Sequence, residues 1–159
     1  MSQITVRECL PEDRSAFEQC TFELQEDEKV RQSHVWKDPQ EIKDVYFEHV
    51  VKTAKESEGK IYVGEKDGKV VGYIVVITNE DGSPALLLKK YGYVMDFVVL
   101  REYQGQGVGR ALMAQAEEYI RSKGLEWMHL DVTVGNPAHD FYIKSGYRDK
   151  DIRMEKKLK

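Results

Sequence analysis

The chain has 159 residues, 41% hydrophobic and 33% charged, the size and composition of one globular domain over residues 1–159. Its 24 Lys and Arg against 28 Asp and Glu give a net charge of −4, which argues against a general nucleic-acid binder and leaves room only for a local basic patch. No run approaches the roughly 20 apolar residues of a spanning helix, no basic-then-apolar leader opens the chain, and Cys9 and Cys20 form no CxxC, so the expectation is a reducing, cytoplasmic setting without membrane, disulfide framework or metal.

Residues 4–7 alternate and read as a first strand. Pro11-Glu12-Asp13 opens a helix holding Phe17, Cys20, Phe22 and Leu24, which fades into the acidic run Glu26-Asp27-Glu28. Asp38-Pro39-Gln40-Glu41 has an N-cap, a proline at the first helical position and a glutamate at the third. The helix it starts is expected to reach about Lys55 and to bury Ile42, Val45, Tyr46 and His49 or Val50. Residues 60–65 and 70–77 are β-rich and joined by Asp67-Gly68, a hairpin signal. Residues 79–84 read as a loop and 91–100 as a long strand with Asp96 inside it. The helix over 107–123 has an apolar stripe of Val108, Ala111, Leu112, Ala116, Tyr119 and Ile120 and stops at Gly124. A strand over 125–133, a short helix over 137–145 and a last strand over 152–158 complete the chain. The hairpin implies antiparallel pairing, and strand–helix–strand over 93–133 implies a parallel pair. The fold class is therefore α/β (α+β), a mixed sheet of six to seven strands with helices on both faces.

The informative stretch is Tyr103-Gln104-Gly105-Gln106-Gly107-Val108-Gly109-Arg110, between a strand and a helix. Glycines allow close backbone approach, and the first N–H groups of the helix lie unpaired at its positive end, a ready site for phosphate or pyrophosphate. A P-loop fails here because Gly109 is followed by Arg110-Ala111 rather than Lys and a hydroxyl residue. The dinucleotide fingerprint fails on spacing, Gly105-x-Gly107-x-Gly109, and on its late position. A third pattern, Gln/Arg-x-x-Gly-x-Gly/Ala, is matched by Gln104, Gly107 and Gly109.

On these residues the chain resembles the GNAT superfamily of acyl-CoA-dependent N-acyltransferases. Residues 98–113, VVLREYQGQGVGRALM, are similar to the family's pyrophosphate segment, with Arg101 where many members carry proline. Residues 132–147, VTVGNPAHDFYIKSGY, are similar to its second signature, and 6–13, VRECLPED, to its first strand–helix joint. The resemblance implies a centrally splayed sheet with acetyl-CoA in the gap. The main chain of Phe97, Val98 and Val99 would then pair with the pantetheine arm. The amides of Gln104, Gly105, Gln106, Gly107, Val108 and Gly109, with Arg110, would hold the pyrophosphate. Asn136 would bond the pantetheine or its neighbouring chain, and Arg110, Lys144 or Arg101 would meet the 3′-phosphate. The implied activity is transfer of an acetyl group from acetyl-CoA to an amine acceptor of a small molecule or peptide, with homodimers common among relatives.

Such a transfer needs a neutral amine, an oxyanion donor and a proton for the leaving thiolate. Freeing an alkylamine of pKa about 10.4 at pH 7 costs about 4.6 kcal/mol, so a base or water chain must accept its proton. The resemblance places Tyr142 at the general-acid position, next to the coenzyme, and a backbone N–H near Val99 at the oxyanion. Phe141 and Tyr147 read as packing. Asp96, an acid in an apolar strand, is the candidate base or amine anchor; the alternative is a carboxylate bonded to nearby backbone or to His129. Glu23 is a second carboxylate of the same kind, with a solvated helix face as its plain reading. Cys9 and Cys20 read as core thiols rather than nucleophiles, and His139 as exposed. Glu23, Glu26, Asp27, Glu28 and Asp96 would make the acceptor cleft hospitable to a cation, with Val35, Trp36, Tyr46 and Phe47 as apolar walls. Two other readings stay open: a non-catalytic acyl-CoA sensor or subunit of the same fold, and a different nucleotide-binding protein using the glycine loop.

Overall fold

Alternating apolar residues and tight turns give five strands that pair in the order in which the chain makes them. The computed structural model describes residues 2–159. The elements are β1 (Ile4–Glu8), α1 (Arg14–Arg31), α2 (Pro39–Ile42), α3 (Tyr46–Glu56), β2 (Lys60–Lys66), β3 (Lys69–Glu80), β4 (Lys90–Val99), α4 (Val108–Ser122), β5 (Met128–Leu130) and α5 (Ala138–Lys144). Short 3-10 turns over Pro11–Asp13 and Arg101–Tyr103 lead out of β1 and β4 toward α1 and α4. The sheet order is β1-β2-β3-β4-β5, antiparallel through β4 and parallel between β4 and β5. In the β2–β3 hairpin Lys66 pairs with Lys69, and Asp67 and Gly68 both take positive φ, the conformation a two-residue turn requires.

Helices cover both faces. On one, the Phe17 ring of α1 stacks on Tyr73 of β3 at 3.9 Å, and Phe47 of α3 meets Phe17 edge-on at 5.1 Å. On the other, α4 lies close because the sheet is locally bare. A Cβ at Gly92 would stand 2.6 Å from Ile120, and one at Gly64 2.8 Å from Val108. The α4 stripe buries Val108, Leu112, Met113, Ala116 and Ile120, close to the expected face.

Several expectations are corrected. The described residues form five strands, not six to seven. The strand expected over 125–133 shrinks to Met128–Leu130. Residues 152–158 form no strand; Ile152, Met154 and Leu158 are exposed among charged neighbours and have no apolar surface to pack on. The helix expected from 38 to 55 breaks into α2 and α3, and its buried face is Phe47, Val50 and Ala54, with Val45 and His49 exposed. The 79–84 loop begins later, since β3 runs to Glu80. α1 does not fade at its acids; it runs through them to Arg31 because Arg101 pairs with Glu26 and Asp27.

The feature that creates a site is in β4. Its parallel pairing with β5 is confined to Gly92 with Met128, Tyr93 with His129 and Val94 with Leu130. On the antiparallel side Val75 pairs with Asp96 and Val76 with Val94, so Met95 is an extra residue, a bulge that bends the strand. Beyond Val94 no strand among the described residues pairs with the β5-facing edge of β4.

Candidate active site

The open edge of β4 over residues 95–99 runs directly into the glycine turn. Gln104 donates its carboxamide N–H to the carbonyl of Val99 at 2.9 Å, tying the turn to the end of the strand. Gln106 donates to the carbonyl of Glu102 at 2.8 Å, and Lys66 of β2 reaches its side-chain oxygen. Gly105 and Gly107 take φ of 72° and 94°, and Gly107 is the N-cap of α4. The first helical bond of α4 runs from Ala111 to Gly107, so the amides of Val108, Gly109 and Arg110 precede any intrahelical acceptor. The Val108 side chain is core, which restricts its part in the turn to its backbone. Gly109 faces the sheet: a Cβ there would come within 3.1 Å of Phe97 and 3.7 Å of Phe141 and of Val99.

The three cations considered for a phosphate differ. The Arg101 guanidinium lies 2.8 Å from Asp27 and 3.4 Å from Glu26, and its backbone N–H donates to Glu23 at 3.0 Å. Arg101 therefore ties the end of β4 to α1, and three of the acids expected to line an acceptor cleft are spent on it. Arg110 and Lys144 are exposed.

Asp96 is 9% exposed and turned toward α1 and α3. Neither backbone nor His129 is its partner. Tyr46 of α3 donates to its two carboxylate oxygens at 3.1 and 2.9 Å, and Tyr73 of β3 donates at 3.3 Å. Tyr73 in turn shares a 2.9 Å bond with Thr21 of α1. Burial pushes the Asp96 carboxyl up to about 6 and outweighs the two phenols and the nearby His49, which favour its ionised form; Glu28 adds to the rise. His129 lies elsewhere, its ring centroid 4.1 Å from that of Tyr91.

Tyr142 is 8% exposed at the same split, its ring centroid 6.1 Å from that of Phe97. Its hydroxyl has no hydrogen-bond partner among the described residues. Burial, with a smaller effect of Glu28, pushes its pKa up to about 12. Phe141 stacks on Phe97 at 5.5 Å, and Tyr147 donates to the Met113 sulfur at 3.3 Å, so both pack as expected. The Asn136 side-chain oxygen accepts from the Ala138 N–H at 2.9 Å and so organises the start of α5. His139 bonds Asp149 at 2.7 Å rather than Tyr142. Burial pushes the thiols of Cys9 and Cys20 up to about 11 and about 12, away from nucleophilic use. Among the described residues no three His, Cys, Asp or Glu converge to hold a metal ion.

Two participants escaped the sequence reading. Tyr46 reads there as an apolar wall, and Tyr73 is not singled out within the β-rich run over 70–77. The available signal was chemical: a phenol inside VVGYIVV must find a partner, and Asp96 is the polar residue of the facing strand.

The sequence pattern of the Acetyltransferase (GNAT) family matches residues 16–147. An N-alpha-acetyltransferase of Sulfurisphaera tokodaii is 34% identical over 114 residues, 67% of this chain and 65% of that protein. An aminoglycoside N(6')-acetyltransferase type 1 of Stenotrophomonas maltophilia is 25% identical over 149 residues, 92% and 88% of the two chains. The match spans 65% of the first of these relatives, and 54% and 44% of two others, an N-acetyltransferase of Methanocaldococcus jannaschii and an aminoalkylphosphonate N-acetyltransferase of Salmonella typhimurium. Among solved structures, a mutant BH1408 protein from Bacillus halodurans superposes with a TM-score of 0.80 at 20% identity, covering 97% of this chain and 99% of that one. Glucosamine-6-phosphate N-acetyltransferase from Arabidopsis thaliana gives 0.68 at 22% identity, covering 99% of each. These likenesses establish the fold, and with the glycine turn and the match over residues 16–147 they place the chain in the Acetyltransferase (GNAT) family.

Proposed function

We propose that the protein is an acetyl-CoA-dependent N-acetyltransferase that passes the acetyl group directly to a primary amine of a small molecule or peptide. The observation that carries this reading is the unpaired edge of β4, which leads into amides at the N-terminus of α4 and is flanked by Asp96 and by the unpartnered phenol of Tyr142. An extended pantetheine arm matches the main chain of Phe97, Val98 and Val99 as an added strand would. The turn over Gln104, Gly105, Gln106, Gly107, Val108 and Gly109, with the positive end of α4, suits a pyrophosphate, with Arg110 beside it. Asn136 takes the pantetheine amide with whatever donor capacity its bond to Ala138 leaves.

The proton inventory fits. In the reaction a C–N bond forms, the C–S bond breaks, the ammonium gives up its proton and the thiolate gains one. An Asp96 carboxyl of pKa about 6 is mostly ionised at pH 7 and accepts a proton, directly or through water. A Tyr142 phenol held near pKa 12 stays protonated and has a proton to give to the thiolate.

Calorimetry with acetyl-CoA, followed by thiol release against a panel of amines, tests the reading. Binding with release by an amine supports it. Binding without release by any amine moves the assignment to an acyl-CoA sensor of the same fold, and no binding overturns the use of the glycine turn.

A further inference from the structure

Thr21, Gln25 and Glu28 lie four and three residues apart on α1 and share one face of the helix. Thr21 at the start of that face is bonded to Tyr73, which is bonded to Asp96. The face therefore looks onto the Asp96 side of the sheet. Gln25 is 4% exposed, and its carboxamide has no hydrogen-bond partner among the described residues. It lines a small cavity between α1, α2 and α3, together with Thr21 and Tyr46. Among the described residues no sealed side-chain nitrogen or oxygen lacks a partner, so the Gln25 amide keeps its accessible surface toward this cavity, where a ligand or water can bond it.

Glu28 differs from the other acids of its helix. Glu23, Glu26 and Asp27 are all engaged by Arg101 on another face. Glu28 has only a long contact to Arg31, 3.7 Å, and a long hydrogen bond from Thr133, 3.4 Å, in the loop that leads to α5. The Thr133 bond sets Glu28 between α1 and the loop that leads to Tyr142, and its charge disfavours the ionised forms of both Asp96 and Tyr142.

Resting on the acetyltransfer reading above, we infer that Glu28 and Gln25 select the acceptor: Glu28 draws in the amine as its ammonium ion, and Gln25 bonds a neutral polar group, a hydroxyl or amide, carried on the same molecule. The preferred acceptor is then a hydroxylated or amide-bearing cationic amine. An alkylamine leaves Gln25 unpartnered, and an amine with a carboxylate nearby is repelled by Glu28.

The test measures amine binding by calorimetry to the protein saturated with coenzyme A, and turnover separately. Probes are 5-amino-1-pentanol, pentylamine and 5-aminopentanoate. In the wild type the amino alcohol binds at least about tenfold more tightly than either of the others. Glu28→Gln weakens the amino alcohol by about tenfold or more and erases the discrimination against the carboxylate, with coenzyme A affinity and circular dichroism unchanged. Glu28→Asp restores part of the loss, and Gln25→Leu removes the preference for hydroxyl over alkyl. The pH profile adds a readout that a structural role does not move. The charges around Asp96 are Tyr46 and His49 of α3, Tyr73 of β3 and Glu28 of α1, and loss of the Glu28 charge shifts the acidic limb to lower pH. Equal amine affinities in the wild type and Glu28→Gln, or no amine binding at all, overturn the inference. Selective binding without thiol release overturns the acetyltransfer reading and upholds the acceptor site.

Discussion

Tyr46, at the start of α3, donates its hydroxyl to both oxygens of Asp96 in the middle of β4, at 3.1 and 2.9 Å. This contact joins the helices before the hairpin to the strand that carries the split edge. It also holds a buried carboxylate in place while leaving its pKa near 6, within reach of a proton at neutral pH.

Asp96→Asn separates stability from activity. The folded chain holds the carboxyl at about 6 against an ordinary 3.8, so Asp96 stabilises the fold while it is protonated. That contribution is full below about 3.8, is lost as pH rises through about 6, and amounts to roughly 3 kcal/mol. Asparagine has no charge to bury. The variant is expected to melt at or above the wild-type temperature at pH 8 and to lose that advantage as pH falls from 7 to 4, while turnover drops about a hundredfold. A melting deficit of the same size at every pH removes this account.

Tyr142→Phe keeps the ring against Phe97 and deletes the unpartnered hydroxyl. Turnover is expected to fall about a hundredfold. The affinity for acetyl-CoA, measured by calorimetry, should change by less than about threefold. Equal turnover in the variant ends the acid role.

Asp13 is a structural counterpart. It accepts two bonds from Arg7, at 2.7 and 2.9 Å, and one from the Leu10 N–H at 2.8 Å, and these hold its carboxyl below the ordinary 3.8. Its stabilisation is therefore present above 3.8 and is lost as pH falls through its lower folded value. Asp13→Asn should cost about 3 kcal/mol at pH 7 by urea denaturation, with the gap to the wild type narrowing in acid. A gap that persists unchanged at pH 2 contradicts this.

Gly107→Ala and Gly124→Ala make a matched pair. Both glycines have positive φ, 94° and 74°, and an alanine at either should cost about 1–2 kcal/mol. Only Gly107 is in the proposed pyrophosphate turn. Its alanine variant alone is expected to bind acetyl-CoA more weakly, by about tenfold. Equal weakening in both variants points to a general loss of order instead.

The legible parts of the fold were those with local chemistry. The Asp67-Gly68 turn, the α4 stripe and the Gly107 start of α4 are dictated by residues within a few positions of one another. The break between α2 and α3 was not legible, because it is decided by Phe47 packing on Phe17, thirty positions away in the chain. The end of α1 was misread because the partner that keeps its acids ordered, Arg101, lies on another element. The site followed the same rule. The glycine turn could be seen in one stretch, whereas the Asp96, Tyr46, Tyr73 and Thr21 chain draws on four elements and has no spacing to recognise.

The three-pair ladder between β4 and β5 has a mechanical meaning. Everything from β5 to α5 shares only this short zipper of main-chain pairing with the sheet and is otherwise held by side-chain packing, so the wall carrying Tyr142 has fewer backbone ties than the wall carrying Asp96. An extended ligand laid along residues 95–99 would act as a surrogate strand and stitch the two walls together. The amide of Leu130 should then exchange with solvent faster than that of Ile74 in the free protein, and slow down selectively when the split is filled.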